Sequence, residues 1–166
     1  DETDYRGRTV RVMRIKGSGS DMRTIERKHF PGVRMEDLLP LFEREEMPDD
    51  EMVQYLSQCL MESDSPRPSI ETLLHAFLPH RSVAHSHADS ILSLTNNERA
   101  VEVLGTVYGR EVVLIPYRRP GFTLSKEVGW AVKRSPLAKG VVLLNHGLIT
   151  WGTTAKEAYD THVELV

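Results

Sequence analysis

The sequence predicts an α/β domain, and three observations carry that prediction. Segments of helical periodicity alternate with short apolar runs of strand type along the chain. The composition, 40% hydrophobic and 27% charged over 166 residues, suits a globular domain with one substantial core. No internal repeat or low-complexity segment interrupts the pattern. A single domain over residues 1–166 is the expectation.

Each element follows from local chemistry. "RTVRVMRI", residues 8–15, alternates polar and apolar as a strand does, and "KGSGSDM" follows as a Gly/Ser loop. "MEDLLPLFERE" has an apolar stripe, but Pro40 opposes one unbroken helix. "DDEMVQYLSQCLMES" predicts a helix with Asp49 or Asp50 as its cap. "PSIETLLHAFLP" predicts another, capped by Ser69, carrying Glu71 in its first turn and closed by Pro79. "RSVAHSH" reads as a short strand, "ADSILSLTN" and "NERAVEVLGTVYG" as helices, and "EVVLIPY" as a strand. "TLSKEVGWAVKRSP" is a helix stopped by Pro136, and "GVVLLNHGLITWG" is two strands around a tight Asn-His-Gly connection. "TTAKEAYDTHVELV" is a final helix capped by Thr153 or Thr154.

Charge excludes some functions. With 21 basic and 24 acidic residues interspersed, the net charge of -3 offers no basic field for nucleic acid or an anionic membrane. Cys59, the single cysteine, lies in the apolar-periodic "MVQYLSQCLM", so it has no internal disulfide partner and is expected to be a buried residue in a reducing compartment. No apolar run is long enough to span a membrane, and the charged start "DETDYRGRTVRV" is unlike a secretion signal, so a cytoplasmic location is expected. The start at Asp1 and the uncapped helix at "DTHVELV" point to a piece of a longer protein.

Histidine spacing carries the chemistry. In "SVAHSHADS", His85 and His87 flank one residue, so an extended backbone puts both imidazoles on one side, within reach of one ion. His-x-His also occurs in surface strands without a metal. His146 ends an apolar strand in "VVLLNHGLITWG", which suits either a site set into a sheet or a histidine satisfied at a strand end. Three imidazoles would make a catalytic zinc site with an open position, whereas structural zinc wants four ligands, usually with thiolates. Glu71 suits either a helix-start carboxylate or a general base.

"PSIETLLHAFLPHRSVAHSHADS" followed by "LLNHGLITWG" resembles the class II aldolase/adducin family, in which a Glu, a His-x-His pair and a later Asn-His-Gly histidine recur in this order. "KGSGSDM" and "ILSLTNN" further resemble the aldolase half of proteins that join a rhamnulose-1-phosphate aldolase-like domain to a short-chain dehydrogenase. The resemblance implies a three-layer α/β/α domain around a central, largely antiparallel sheet. It also implies a homo-oligomer, commonly a cyclic tetramer with sites between neighbouring subunits.

The resemblance further implies roles. His85, His87 and His146 would bind Zn2+, and Glu71 would be the acid/base. Ser18 and Gly19 of "KGSGS", with Ser69, would hold a substrate phosphate, although "KGSGS" read locally is also an ordinary flexible turn. Tyr117 in "IPYRRPGF" would donate a proton to the aldehyde oxygen in an adjacent subunit's site, where the local reading is a packing residue. The implied activity is a zinc-dependent lyase that cleaves a ketose 1-phosphate to dihydroxyacetone phosphate and an aldehyde. The ion would stabilise the enediolate formed as C3–C4 breaks. Pentulose-phosphate 4-epimerases and a thiosugar-phosphate dehydratase share the scaffold, and adducin-like modules keep the fold without the histidines. This chain departs from the family pattern by starting after the Gly-Asn-x-Ser-type loop, by carrying Ile70 where a small hydroxyl residue often precedes the glutamate, and by ending before the closing helices. His29, His75, His80 and His162 receive no role.

Overall fold

The strand pattern of residues 8–15 is divided at Arg11. A computed structural model describes residues 1–166. In it β2 (Thr9–Val10) pairs antiparallel with β1 (Glu2–Thr3), while β3 (Val12–Arg14) pairs antiparallel with β4 (Gly32–Arg34). Arg11 lies between the two ladders, and its carbonyl accepts the Met35 N–H at 2.8 Å. The apolar alternation was legible, but the switch of partner was not.

These strands belong to the first of two compact units, Asp1–Phe77 with Pro120–Lys126; the second is Leu78–Arg119 with Glu127–Val166. In the first unit α1 (Met35–Leu38) tightens into a 3-10 turn over Leu39–Phe42, as Pro40 requires. Helix α2 (Asp49–Gln58) begins after Pro48, which holds the N-cap position without a side-chain bond. Asp49 and Asp50 are therefore not caps; with Glu51 they form an acidic first turn that complements the helix dipole. Helix α3 is short, Thr72–Ala76, with Glu71 rather than Ser69 at the N-cap position. Ser69 acts one turn earlier, its Oγ accepting the Glu71 N–H at 3.2 Å and its carbonyl accepting the Thr72 N–H at 3.0 Å. Val33, Leu38, Met52, Leu56 and Leu73 are completely or almost completely buried and form the unit's core, in which Phe42 and Phe77 meet edge to face at 4.9 Å. Cys59 is buried there, and burial pushes its thiol up to about 11, so it is unreactive at neutral pH.

The second unit is built on a four-stranded sheet in the order β5 (Ser82–Ser86), β8 (Gly147–Gly152), β7 (Gly140–Leu143), β6 (Val112–Ile115). The β5–β8 and β8–β7 pairs are antiparallel and β7–β6 is parallel. A parallel pair needs a crossover, and α6 (Phe122–Arg134) lies in the connection between β6 and β7. Helices α4 (Asp89–Thr95) and α5 (Ala100–Tyr108) follow β5, and α7 (Ala155–Leu165) follows β8. Thr154 caps α7, its hydroxyl accepting the Glu157 N–H at 3.1 Å, and the Glu157 carboxylate takes the Thr153 N–H at 2.8 Å.

Side-chain alternation divides the sheet into two faces. Val142 and Leu148, register partners, pack with Ile91 of α4, Leu104 of α5 and Leu165 of α7. Their neighbours Val141 and Ile149, also partners and fully buried, point the opposite way. His85 is the register partner of Ile149 and shares that second face. No helix is long and apolar enough to cross a membrane.

Candidate metal centre

His85 stands on the edge strand of the four-stranded sheet, and His87 follows one residue past its end. Because side chains alternate, both imidazoles leave the backbone on the same side, and His85 Nε2 lies 3.1 Å from His87 Nε2. His85 is oriented from behind: its Nδ1 lies 2.9 Å from the Leu148 carbonyl, which can only accept. The proton therefore sits on Nδ1, and Nε2 directs a lone pair toward His87. Metal-binding histidines are commonly oriented in this way.

His146 arrives from the β7–β8 connection. Asn145 adopts a left-handed backbone with φ 58, which turns the chain sharply after Leu143 and Leu144. Its side-chain amide donates to the Thr95 carbonyl at 3.3 Å and to Asn96 Oδ1 at 2.9 Å, tying the turn to the end of α4. Gly147 follows because a Cβ there would lie 2.3 Å from the Ser86 carbonyl and 3.0 Å from the His87 ring. The Asn-His-Gly run thus has a local explanation for each residue. The His146 ring centroid lies 5.3 Å from that of His85 and 4.9 Å from that of His87, with His85 and His87 also 4.9 Å apart.

This donor set fits a divalent first-row metal. The candidate ligand atoms of the three histidines lie within 4.8 Å of one another. Two nitrogens on one tetrahedral ion stand about 3.3 Å apart, because each is about 2.0–2.1 Å from the metal. The His85–His87 separation is close to that spacing. Three imidazoles without a thiolate suit a catalytic rather than a structural site, and imidazole suits zinc, iron, nickel and cobalt alike.

The other residues singled out by sequence are placed as follows. Ser18 and Gly19 are exposed in the first unit's loop, with Gly19 at φ 78. The Ser18 N–H is committed to the Arg67 carbonyl at 2.8 Å, so Ser18 offers a ligand its hydroxyl and not its amide. Ser69 and Glu71 are half-buried in the same unit, at the start of α3. Tyr117 follows β6 and is 59% exposed, so it is not a core packing residue of this chain.

His162 receives no role from the sequence. It is 9% exposed, on the α7 face that also buries Ala158 and Leu165. The signal was present in sequence as a histidine in line with apolar positions four before and three after it. Its Nε2 lies 2.6 Å from Ser86 Oγ and its Nδ1 2.9 Å from Thr150 Oγ1. Burial, with a smaller contribution from His85, holds its imidazole below the usual histidine range.

Comparison with known proteins follows the same lines. The Bacillus subtilis (strain 168) protein named Uncharacterized oxidoreductase YuxG is 46% identical over 165 residues, covering 99% of this chain and 24% of its own length. The chain therefore spans about a quarter of that curated relative. The solved N-terminal Class II Aldolase domain of a conserved protein from Thermoplasma acidophilum is 46% identical with a TM-score of 0.92, over 99% of this chain and 76% of that one. A sugar-phosphate aldolase from Thermotoga maritima shares the fold at 18% identity, with a TM-score of 0.62 over 90% of this chain and 65% of that one. These likenesses bear out the α/β fold of class II aldolase type. The profile of the Class II Aldolase and Adducin N-terminal domain family matches residues 5–166, and with its three clustered histidines and mixed sheet this chain belongs to that family.

Proposed function

We propose that this chain is a zinc-dependent lyase domain that cleaves a ketose 1-phosphate to dihydroxyacetone phosphate and an aldehyde. The observation that carries the reading is the convergence of His85, His87 and His146, with one nitrogen pair 3.1 Å apart and His85 oriented through Leu148. An adducin-like binding module has no use for such a cluster. The names of structural neighbours, a sugar-phosphate aldolase and an L-fuculose 1-phosphate aldolase, agree with the substrate class.

In this reading the three imidazoles hold the ion, which when bound polarises the substrate's oxygens and stabilises the negative charge that develops as the carbon–carbon bond breaks. The protein's own groups do the rest. In cleavage the C4 hydroxyl passes its proton to the Tyr117 oxygen, the C3–C4 pair passes to C3, and the C4 carbon leaves as the aldehyde. Glu71 exchanges the proton at C3, and in the condensation direction Tyr117 donates a proton to the aldehyde oxygen. The Ser18 and Ser69 hydroxyls and the Gly19 N–H hold the phosphate, converting remote binding energy into positioning. The exposure of Tyr117 agrees with a role in a neighbouring subunit's site within a homo-oligomer, with four copies as the expected assembly.

The relative named as an oxidoreductase is about four times as long as this chain, which agrees with an aldolase half joined to a separate dehydrogenase half. An epimerase or dehydratase on the same scaffold differs in its products. Incubation of the zinc-loaded protein with rhamnulose 1-phosphate and fuculose 1-phosphate, followed by product analysis, tests the reading. Dihydroxyacetone phosphate with an equimolar aldehyde is the expected result; an epimerised or dehydrated sugar overturns the lyase assignment. Glu71→Gln is expected to retain zinc and lose at least about 100-fold in turnover, the usual scale for loss of a general acid/base.

A further inference from the structure

Three elements of the second unit meet at the His162 imidazole, and the available protons fix the direction of every bond. Thr150 has one hydroxyl proton, which it donates to the Ala158 carbonyl at 2.9 Å. It must therefore accept from His162, so Nδ1 carries the ring proton. Nε2 is left with a lone pair, and Ser86 donates its hydroxyl proton to it across 2.6 Å.

Ser86 is the residue between His85 and His87, and its side chain points to the face opposite theirs. It is also the last residue of β5 in the ladder, paired with Leu148, and His87 lies beyond it. As an edge strand, β5 has β8 on one side alone. The end of such a strand frays unless something holds it, and fraying here would release His87 from His85. We propose that His162 is a positioning residue for the metal centre: by accepting the Ser86 hydroxyl, it pins the end of β5 so that the two flanking imidazoles stay on one ion. Thr150 on β8 holds the other side of the same ring, so one imidazole ties edge strand, neighbouring strand and helix α7. This inference rests on the metal reading of the three histidines.

The test is zinc affinity, measured by competition with a chromophoric chelator on protein shown to be folded by circular dichroism, alongside the melting temperature of the zinc-free form. Ser86→Ala is expected to weaken zinc binding about tenfold, at the lower end of the range for supporting partners of metal ligands. Ser86→Thr, which keeps the hydroxyl, is expected to stay within about threefold of the unsubstituted protein. A second pair reads the imidazole side: His162→Gln places an acceptor near the Nε2 position and is expected to retain affinity, while the shorter His162→Asn loses about tenfold. A purely structural role would lower the melting temperature and leave the affinity of folded protein unchanged. Affinities within about threefold in both Ser86→Ala and His162→Asn, or equal losses in Ser86→Ala and Ser86→Thr, overturn the proposal alone. An unsubstituted protein that takes up no zinc overturns the metal reading itself.

Discussion

His85 and His87 approach through their Nε2 atoms to 3.1 Å, while the far side of the His85 ring faces the Leu148 carbonyl. Two imidazoles held this close, with one tautomer fixed, could share one cation. Zinc is therefore expected to stabilise the fold by mass action. At a free concentration about 100 times Kd the gain is about 2.7 kcal/mol. Differential scanning calorimetry with and without chelator checks this, and an unchanged melting temperature contradicts it.

Asn145 holds a left-handed conformation with φ 58 and anchors its amide on the end of α4. Asn145→Ala keeps a Cβ in that strained region and removes both anchors, so a loss of about 1–3 kcal/mol is expected. Asn145→Gly relieves the backbone and loses only the anchors, so it is expected to be the milder variant in stability. Both are expected to weaken zinc binding, because the amide anchors place His146. Urea unfolding and chelator competition separate the two effects.

Stability is expected to fall as pH drops below about 6.5, the ordinary imidazole value, because burial holds His162 below it. The unfolded chain then binds the proton first. The contribution is fully present above the unfolded value and is lost as pH falls through the folded one. His162→Gln removes this titration. With both proteins zinc-free, the urea midpoint of the unsubstituted protein should therefore drop more between about pH 7.5 and 5.5, as the chosen test conditions, than that of the variant. Equal drops would remove His162 from the acid response.

Leu148 is fully buried in the cluster between the sheet and α4, α5 and α7, and its carbonyl orients His85. Leu148→Ala is expected to cost about 2–5 kcal/mol from lost burial and the cavity left behind. The exposed Leu137, truncated in the same way, is expected to change stability by no more than about 0.5 kcal/mol. Equal effects of the two would contradict the described core.

What was legible in sequence was whatever rests on a short-range rule. Pro40 and Pro136 marked the ends of helical stretches, Thr154 capped α7, and the two-residue period put His85 and His87 on one side. Long-range choices were not legible. Nothing local tells Arg11 that the chain changes partners there, and the two-residue strand β1 and the three-residue β4 are too short to show a period. Pro48 displaced Asp49 and Asp50 from the expected cap, and α3 was shorter than its apolar pattern because Ser69 and Glu71 form a turn before it. The clustering of His146 with the other two histidines could be expected from motif order, but its cause, Asn145 turned left-handed against α4, required the fold. His162 receives no role from the sequence because a lone helical histidine carries no motif; its partners on β5 and β8 are 76 and 12 residues away in sequence.

The most direct test of the three-histidine centre is the zinc content of purified protein, by elemental analysis, beside that of His146→Ala. About one zinc per chain in the unsubstituted protein and loss of it in the variant is the predicted result. Full retention of zinc by a folded His146→Ala would contradict the assignment, since the ion would then be held elsewhere.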